Sequence, residues 1–599
     1  MMNNQSMPFQ PIDIALAKRV CQWHNATNSQ LLMQSVLATS FALQQGHTCL
    51  SLKDCLQESP FNEMESFGFQ PFPATDDWMA ALSEFNLDPN SQSPIILHNQ
   101  RLYLRRYFQF ETEVLNFFKR HNQRITLDSK QAATARQYLN DFFAPSAEID
   151  WQRAAAINAL FSQVSLITGG PGTGKTYTVT RILATLVAIS PSMPLIQLAA
   201  PTGKAAQRLA ESIREAKQSM SLDLFVGEAI PDEATTIHRL LGVIPNSIHF
   251  KHDENNPINA DILLIDEASM IDLPLMARLV RAIKPSTQVI FLGDADQLPS
   301  VAAGSVLTDL IERPHPGYSP ERVKALAQFG IETSEISAQA STFRDDLTEL
   351  KRSRRFDGGS GIGKLAKAIL NGQPQPGITL FETQTDLEWL STPLDKALKQ
   401  WTAEYYRDLP SQRSLSDAFL QLKQFRILCA HREGEQGVEA INETISKQLN
   451  INRQPFYKGQ PIMVTQNHYG LKLFNGDIGL VWPNESGQLM VWFESLEGYR
   501  AVAPGRLPSH ETVFAMTIHK TQGSEFSHVA MVLPDAASAI VTRELIYTGL
   551  TRAKNAFTLV ASSAVWKQGI TNQVHRWAGL SSRLNQNDLE EGSEKGSKL

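Results

Sequence analysis

Between about residues 150 and 312 short apolar runs recur among longer amphipathic stretches: VSLIT, LIQLAA, DILLID and QVIFLG. Each is aliphatic and β-branched, apolar at consecutive positions and too short for a helix, which predicts buried parallel strands with helices between them. That alternation describes a doubly wound α/β sheet. A second set follows: RILCA at 426–430, HVAMVL at 528–533 and AFTLVAS at 556–562. The long stretch between its first two members holds turn-rich segments, PIMVTQN, GDIGLVW and QLMVWFE, and predicts a small β-barrel insertion over about 453–512. Up to about residue 130 the apolar spacing is helical, as in SQLLMQSVLATSFALQQ. The polar stretch around 313–345 reads as the linker between the two sheets, and 583–599 as a disordered, charged tail. The expected organisation is a mainly helical domain over 1–130, a first sheet domain over 131–345 and a second over 346–582. No repeat of fixed period is evident.

One junction between strand and helix carries chemistry. TGGPGTGKTYT, residues 168–178, follows VSLIT and leads into YTVTRILATLV. It fits G-x-x-x-x-G-[KR]-[ST] as Gly169, then Gly170, Pro171, Gly172 and Thr173, then Gly174, Lys175 and Thr176. Glycines let the backbone curl round an anion with no Cβ in the way, so successive N–H groups point inward and the helix dipole adds to them. In this motif the lysine reaches the β- and γ-phosphates of ATP and the Thr176 hydroxyl ligates Mg²⁺. Tyr177, at the start of the helix, completes the expected nucleotide-binding set. A glycine-rich turn without function is the alternative, and the strand–loop–helix context speaks against it.

Further candidates share the same sheet edge. DILLID ends in Asp266 and Glu267, carboxylates at the C-terminal end of a strand, where ligands sit in such sheets. Asp266 is expected to hold Mg²⁺ through water, and Glu267 to polarise the attacking water as general base. An acidic helix start is the blander reading. FLGDADQLPSV, 291–301, brings Asp294 and Gln297 to that edge, and an amide at 297 can both donate to a γ-phosphate and orient water. Gln152 in WQRAAAINAL suits the two edges of adenine as readily as a helix surface. Arg355 in LKRSRRF (350–356) and Arg552 in ELIYTGLTRAK (544–554) belong to the second sheet or its approach. A planar guanidinium matches phosphate oxygens and stabilises charge as a bond breaks. If both reach one γ-phosphate, the nucleotide lies between two domains; taken singly, either could be a surface arginine paired with an acid.

Contacts to a nucleic-acid backbone are expected from Thr202, Gly203 and Lys204 in APTGKAAQRL, from His238 in TTIHRLLG, and from Thr517, His519 and Lys520 in AMTIHKTQGSEF. His519 alone would more often be a structural histidine. Arg101, Arg105 and Arg106 among Tyr103, Tyr107 and Phe108 suit either nucleic acid or, more commonly, a helix that buries its aromatics while the arginines snorkel.

Composition narrows the classes. The chain's 599 residues exceed a single core, and 42% apolar with 19% charged residues describes an ordinary globular protein. A net charge of −6 excludes a global basic field, so nucleic-acid contacts must come from local clusters in a groove. Cys21, Cys49, Cys55 and Cys429 lack metal spacing, which predicts a reduced, cytoplasmic chain. No apolar run is long enough to span a bilayer, and the opening MMNNQSMPFQPIDIA has no signal-peptide pattern. A two-metal nuclease needs converging carboxylates. The nearest set, Asp345, Asp346 and Glu349 beside Lys351, reads as a helix surface, so no nuclease site is expected.

In chain order, WQRAAA, GGPGTGKT, APTGKAA, LLIDEASM, GDADQLPSV, RSRRF, AMTIHKTQGSEF and YTGLTRAK resemble the motifs of superfamily 1 helicases, whose two motor domains are RecA-like. TIHRLLG, LKLFNGDIGLVW and TIHKTQGSEFSHV resemble the wording of the RecD subfamily. GHTCLSL (46–52) and RLYLRRYFQFE (101–111) are similar to the front of exodeoxyribonuclease V alpha subunits. The resemblance, which covers nearly the whole chain, implies an ATP- and Mg²⁺-dependent motor running 5′→3′ on single-stranded DNA in the bacterial cytoplasm. It implies two partners, a beta subunit carrying a slower 3′→5′ helicase and the nuclease, and a gamma subunit that recognises the recombination hotspot. Together they process double-strand breaks for recombinational repair. By the same analogy residues 1–130 dock on the gamma subunit, 243–259 forms a hairpin that splits the duplex, and the insertion is an SH3-like domain that closes over DNA. The resemblance also favours the adenine reading of Gln152. Two other classes stand beside it: a stand-alone 5′→3′ helicase of a longer related subfamily, whose extra N-terminal DNA-binding modules have no room before residue 150, and a scaffold subunit with a vestigial ATP site.

Overall fold

The two sets of apolar runs form two fully parallel sheets in the computed structural model. It describes residues 9–585 apart from 27–28, 62–68, 122, 147, 245–246, 334–335, 337–343, 354, 356–358, 450–454 and 496–497. The first sheet has six strands in the spatial order Thr235–Thr236, Ile196–Ala200, Ile262–Ile265, Gln288–Gly293, Val164–Gly169, Leu347–Leu350. Every neighbouring pair is parallel. Side chains alternate between faces: Leu264, Ile290 and Leu292 join one core with the helices Trp151–Leu160, Lys175–Ile189 and Gly203–Ser219. Leu263, Val289 and Phe291 join another, beneath the helices Arg105–Arg120 and Leu273–Arg281. Both faces are covered, which is why the strands read as unbroken apolar runs.

The second sheet has five parallel strands in the order Leu387–Trp389, Ala553–Val560, Phe526–Val532, Phe425–Cys429, Ala515–Thr517. In the chain between Phe425–Cys429 and Ala515–Thr517 lies a five-stranded antiparallel sheet running from Pro461–Val464 to His510–Thr512. It packs its own small core around Ile462, Val481, Val491 and Phe493. Cys21, Cys49, Cys55 and Cys429 are buried and free. Among the described residues, no helix is long and apolar enough to cross a membrane.

Three expectations need correction. The polar stretch 313–345 is not a linker: it contains the helix Pro320–Gln328, and Tyr318, Leu326 and Phe329 sit in the first core. Leu347–Leu350, read as a helix surface, is a strand that pairs with Val164–Gly169, so the first sheet continues past 345. Its charges misled because they are neutralised locally. Ser319 Oγ donates to Asp345 at 2.7 Å, Arg344 forks onto Asp346 at 2.9 Å, and Arg313 lies 3.4 Å from Glu349.

The front of the chain is mainly helical, as expected, and it also holds a small three-stranded antiparallel sheet of Leu50–Ser51, Arg101–Leu104 and Ile95–His98. Tyr103 and Phe108 are buried, and Arg105 donates to the carbonyls of Pro89, Ser91 and Ser93, so this aromatic-basic stretch builds the fold. The third departure is at the end of the chain: the helix Leu580–Asn585 reaches into the start of the expected tail, while 586–599 lie outside the described residues. From 572 the chain leaves the second sheet and returns to the front. Trp577 stacks on His47 with centroids 4.2 Å apart, and Gly579 N–H and Arg583 bind the fully buried Glu111. Arg576 donates to the carbonyls of Ser300, Ala302 and Gly304 at 2.6–3.0 Å.

Candidate functional site

The loop after Val164–Gly169 takes the shape its glycines allow. Gly172 and Gly174 have φ of 75° and 80°, conformations that L side chains rarely adopt. At Gly172 a Cβ would also strike the side chains of Ser353 and Arg355, which press onto the loop from the chain segment between the two sheets. Ser353 Oγ donates to the Pro171 carbonyl at 2.9 Å. The helix Lys175–Ile189 has no capping side chain, so its first amides are directed at the loop's concavity. Lys175 Nζ donates to the carbonyls of Gly169 and Gly170 at 2.7 and 3.2 Å, and Thr173 Oγ1 to Gly170 at 2.8 Å. Tyr177 lies 3.2 Å from the Arg181 guanidinium, measured to its ring centroid. Gln152 is buried beneath the loop, where Nε2 donates to the Thr173 carbonyl at 2.7 Å. It braces the loop and is absent from the cavity wall.

The carboxylates arrive from neighbouring strands. Asp266 follows Ile262–Ile265, and its Oδ1 accepts from the Glu267 N–H at 2.8 Å. Burial, and then the adjacent Glu267 charge, push the Asp266 carboxyl up, with Lys175 pulling the other way. Glu267 has φ 52° and ψ 42°, a left-handed conformation costly for a residue with a Cβ. That turn throws its side chain into the cavity. Asp294, after Gln288–Gly293, is buried and also pushed up by burial, with Lys175 again opposing. Gln297 Nε2 donates to Asp294 Oδ2 at 2.8 Å.

The second sheet supplies the facing wall. Arg552, at the end of the helix Arg543–Leu550, is buried, and its three hydrogen bonds all go to uncharged oxygens: Thr548 O at 3.0 Å, Ser524 O at 3.3 Å and Gln297 Oε1 at 2.7 Å. Arg355 pairs with Glu525. Burial alone would raise the Glu525 carboxyl, but Arg355, with Arg208 and Lys554, holds it at about 2. A cavity of about 630 Å³ brings these groups together. Lys175, Thr176, Asp266 and Glu267 line one side, Arg355 and Arg552 the other, with Gln297 between. Tyr547, Arg208 and Glu525 were not singled out from the sequence. Tyr547 Oη lies 2.9 Å from where a Cβ on Gly170 would be and 3.4 Å from Asp294 Oδ2.

The expected nucleic-acid contacts do not gather in one place. Gly203 and Lys204 line a second cleft of about 840 Å³ between the first sheet domain and the antiparallel insertion, with Arg239, Lys472, Phe474 and Arg500. Phe474 packs so closely on Gly203 that no Cβ fits there. Thr202 caps the helix Gly203–Ser219 by accepting from Ala205 N–H at 3.2 Å. His238 faces Phe250 with centroids 6.0 Å apart, close to the bridge Val243–Phe250 that closes the proposed hairpin, of which 245–246 lie outside the described residues. Thr517, His519 and Lys520 lie beyond the cleft, at the edge strand of the second sheet, where Lys520 pairs with Glu511 at 2.9 Å. Burial lowers the His519 pKa.

Comparison with known proteins finds matches along most of the chain. Residues 5–103 match the family model for the N-terminal domain of RecBCD enzyme subunit RecD, residues 152–303 an AAA domain, and residues 512–560 the UvrD-like helicase C-terminal domain. The RecBCD enzyme subunit RecD of Haemophilus influenzae is 37% identical, over 91% of this chain and 92% of that protein. The RecD subunit of Mycolicibacterium smegmatis is 36% identical, over 96% of this chain and 97% of that one. The ATP-dependent RecD2 DNA helicase of Deinococcus radiodurans is 29% identical over 68% of this chain, but only 48% of its own length is matched. Full-length agreement with the shorter proteins, in a chain whose nucleotide-type loop, acids and facing arginines share one cavity, means that this chain belongs to the RecD family of RecBCD enzyme subunits.

Proposed function

We propose that the chain is an ATP-dependent DNA motor, moving 5′→3′ on single-stranded DNA as the alpha subunit of a bacterial, cytoplasmic exodeoxyribonuclease V. Beta and gamma subunits are its partners at double-stranded DNA ends, and the nuclease belongs to the beta subunit. The observation that supports this best is the shared cavity: the lysine and acids come from one parallel sheet, Arg552 from the other and Arg355 from the segment that joins them.

ATP suits this cavity because the loop amides and Lys175 converge on its floor while guanidinium groups close its roof. The Thr176 hydroxyl and Asp266 carboxylate line one wall, an all-oxygen donor pair of the kind Mg²⁺ accepts while keeping water and phosphate ligands. Thr176 and Asp266 would hold Mg²⁺ there, and the ion would supply positive charge against the charge that builds during transfer. Burial raises Asp266, and a nearby cation favours its ionised form. Glu267 positions and deprotonates the attacking water, held outward by its left-handed backbone. Arg355 and Arg552 stabilise the leaving charge and tie its loss to separation of the two sheets.

Single-stranded DNA is proposed to run through the second cleft, its phosphates on Lys204, Arg239, Lys472 and Arg500 and its bases against Phe474. Thr202, His238, Thr517, His519 and Lys520 would extend that path to either side. Closing and opening of the ATP cleft would then step one domain along the strand relative to the other. A Lys175→Gln chain should lose DNA-stimulated ATP hydrolysis and unwinding while still co-purifying with the beta and gamma subunits. Unwinding at the normal rate by a complex carrying that variant would contradict the assignment.

A further inference from the structure

One grip between the two motor halves holds both polar groups of a single residue's backbone. Leu298 directly follows Gln297. Its N–H donates to Thr548 Oγ1 at 2.9 Å, and its carbonyl accepts from Gln522 Nε2 at 2.9 Å. Leu298 belongs to a loop of the first domain, yet its side chain is buried in the core of the second, with Met516, Ile518 and Leu545. Thr548 is fully buried one turn before Arg552, and neither Thr548 nor Gln522 lines the ATP cavity.

What this grip controls is the amide beside it. Gln297 Nε2 donates to Asp294 Oδ2 at 2.8 Å while its Oε1 accepts from Arg552 Nη2 at 2.7 Å. Turning the amide over would set its oxygen against a carboxylate and its NH₂ against a guanidinium, so only one orientation satisfies both neighbours. Arg552 is thereby aimed through Gln297, and Gln297 is placed through Leu298. Thr548 O also accepts from Arg552 Nε at 3.0 Å, so the same residue anchors both ends of the linkage.

We propose that Thr548 and Gln522 are positioning residues for hydrolysis: by holding both polar groups of the Leu298 backbone, they make correct placement of Gln297 and Arg552 conditional on the two motor halves being docked. This rests on the reading of the chain as an ATP-driven motor. Thr548→Val keeps the shape and removes the acceptor. Gln522→Met keeps the length and removes the donor at a half-buried position.

With the full-length chain and an oligothymidylate, each variant should lower kcat for ATP roughly ten- to a hundredfold while KM stays within about threefold. Thr548→Ser, which retains the hydroxyl, should restore kcat. Because both residues act through Leu298, the double variant should be little worse than the weaker single one. Wild-type kcat in either single variant would overturn the proposal. So would failure of Thr548→Ser to rescue, or losses that multiply in the double variant. If the wild-type chain itself fails to hydrolyse ATP, the motor reading falls and the clamp with it. If the wild type turns over and the variants match it, the clamp alone falls.

Discussion

Lys204 sits where a single proton changes the charge of the second cleft. Burial and the neighbouring Arg208 push its ammonium down to about 7, with Asp477 pulling the other way. A DNA phosphate at Lys204 would favour the charged form, so binding takes up a proton and affinity weakens as pH rises through the free-state value. The dissociation constant for an oligothymidylate should therefore increase between about pH 6 and 8, and Lys204→Arg should flatten that slope. An identical slope in wild type and variant would remove Lys204 from the DNA path. At this scale the residues that line the first cavity were legible because each carries its own local signature: a glycine loop, an acid closing an apolar strand, an arginine in a recognisable window. Tyr547, Thr548 and Glu525 were not, because their partners lie far away in sequence, as with Thr548 and Leu298 or Glu525 and Arg355. Gln152, whose type and place suggest adenine, also donates one N–H to the loop backbone, a contact its local sequence does not signal.

At the scale of elements, the returning segment 572–585 is the feature that hydrophobic spacing could not reveal. It carries few apolar residues, and two of its anchors lie at the other end of the chain: Trp577 at His47, Arg583 at Glu111. Arg576 holds the three carbonyls of the loop that follows Gln297 and Leu298, and that loop also meets the front of the chain, where Gly304 N–H donates to the Gly46 carbonyl at 2.9 Å. Arg576→Ala should loosen this junction by about 1.5–3 kcal/mol, the usual value of hydrogen bonds from a charged donor. Hydrogen–deuterium exchange should then quicken at 298–304 and 46–48 while the second sheet keeps its protection. Unchanged exchange at both segments would show that Arg576 does not bear on the loop. The strand Leu347–Leu350 was hidden for a related reason. Three acids around two leucines look like a solvated helix until Ser319, Arg344 and Arg313 are brought beside them.

Across the whole molecule, the two parallel sheets follow directly from runs buried on both faces, and the insertion from turn-rich alternation between them. How the sheets face each other does not follow from periodicity. It is set by a few side chains across the gap: Leu298 seated in the second core, Ser353 on the glycine loop, Arg552 on Gln297. The central claim is that one nucleotide is held between these halves and that the second half contributes to breaking it. Its most direct test compares ATP affinity with ATP turnover in Arg552→Ala, using the full-length chain and single-stranded DNA. Affinity should stay within several-fold while kcat falls roughly a hundredfold or more, as when an arginine that stabilises phosphoryl transfer is removed. Turnover at the wild-type rate, or affinity and turnover lost in equal measure, would contradict it.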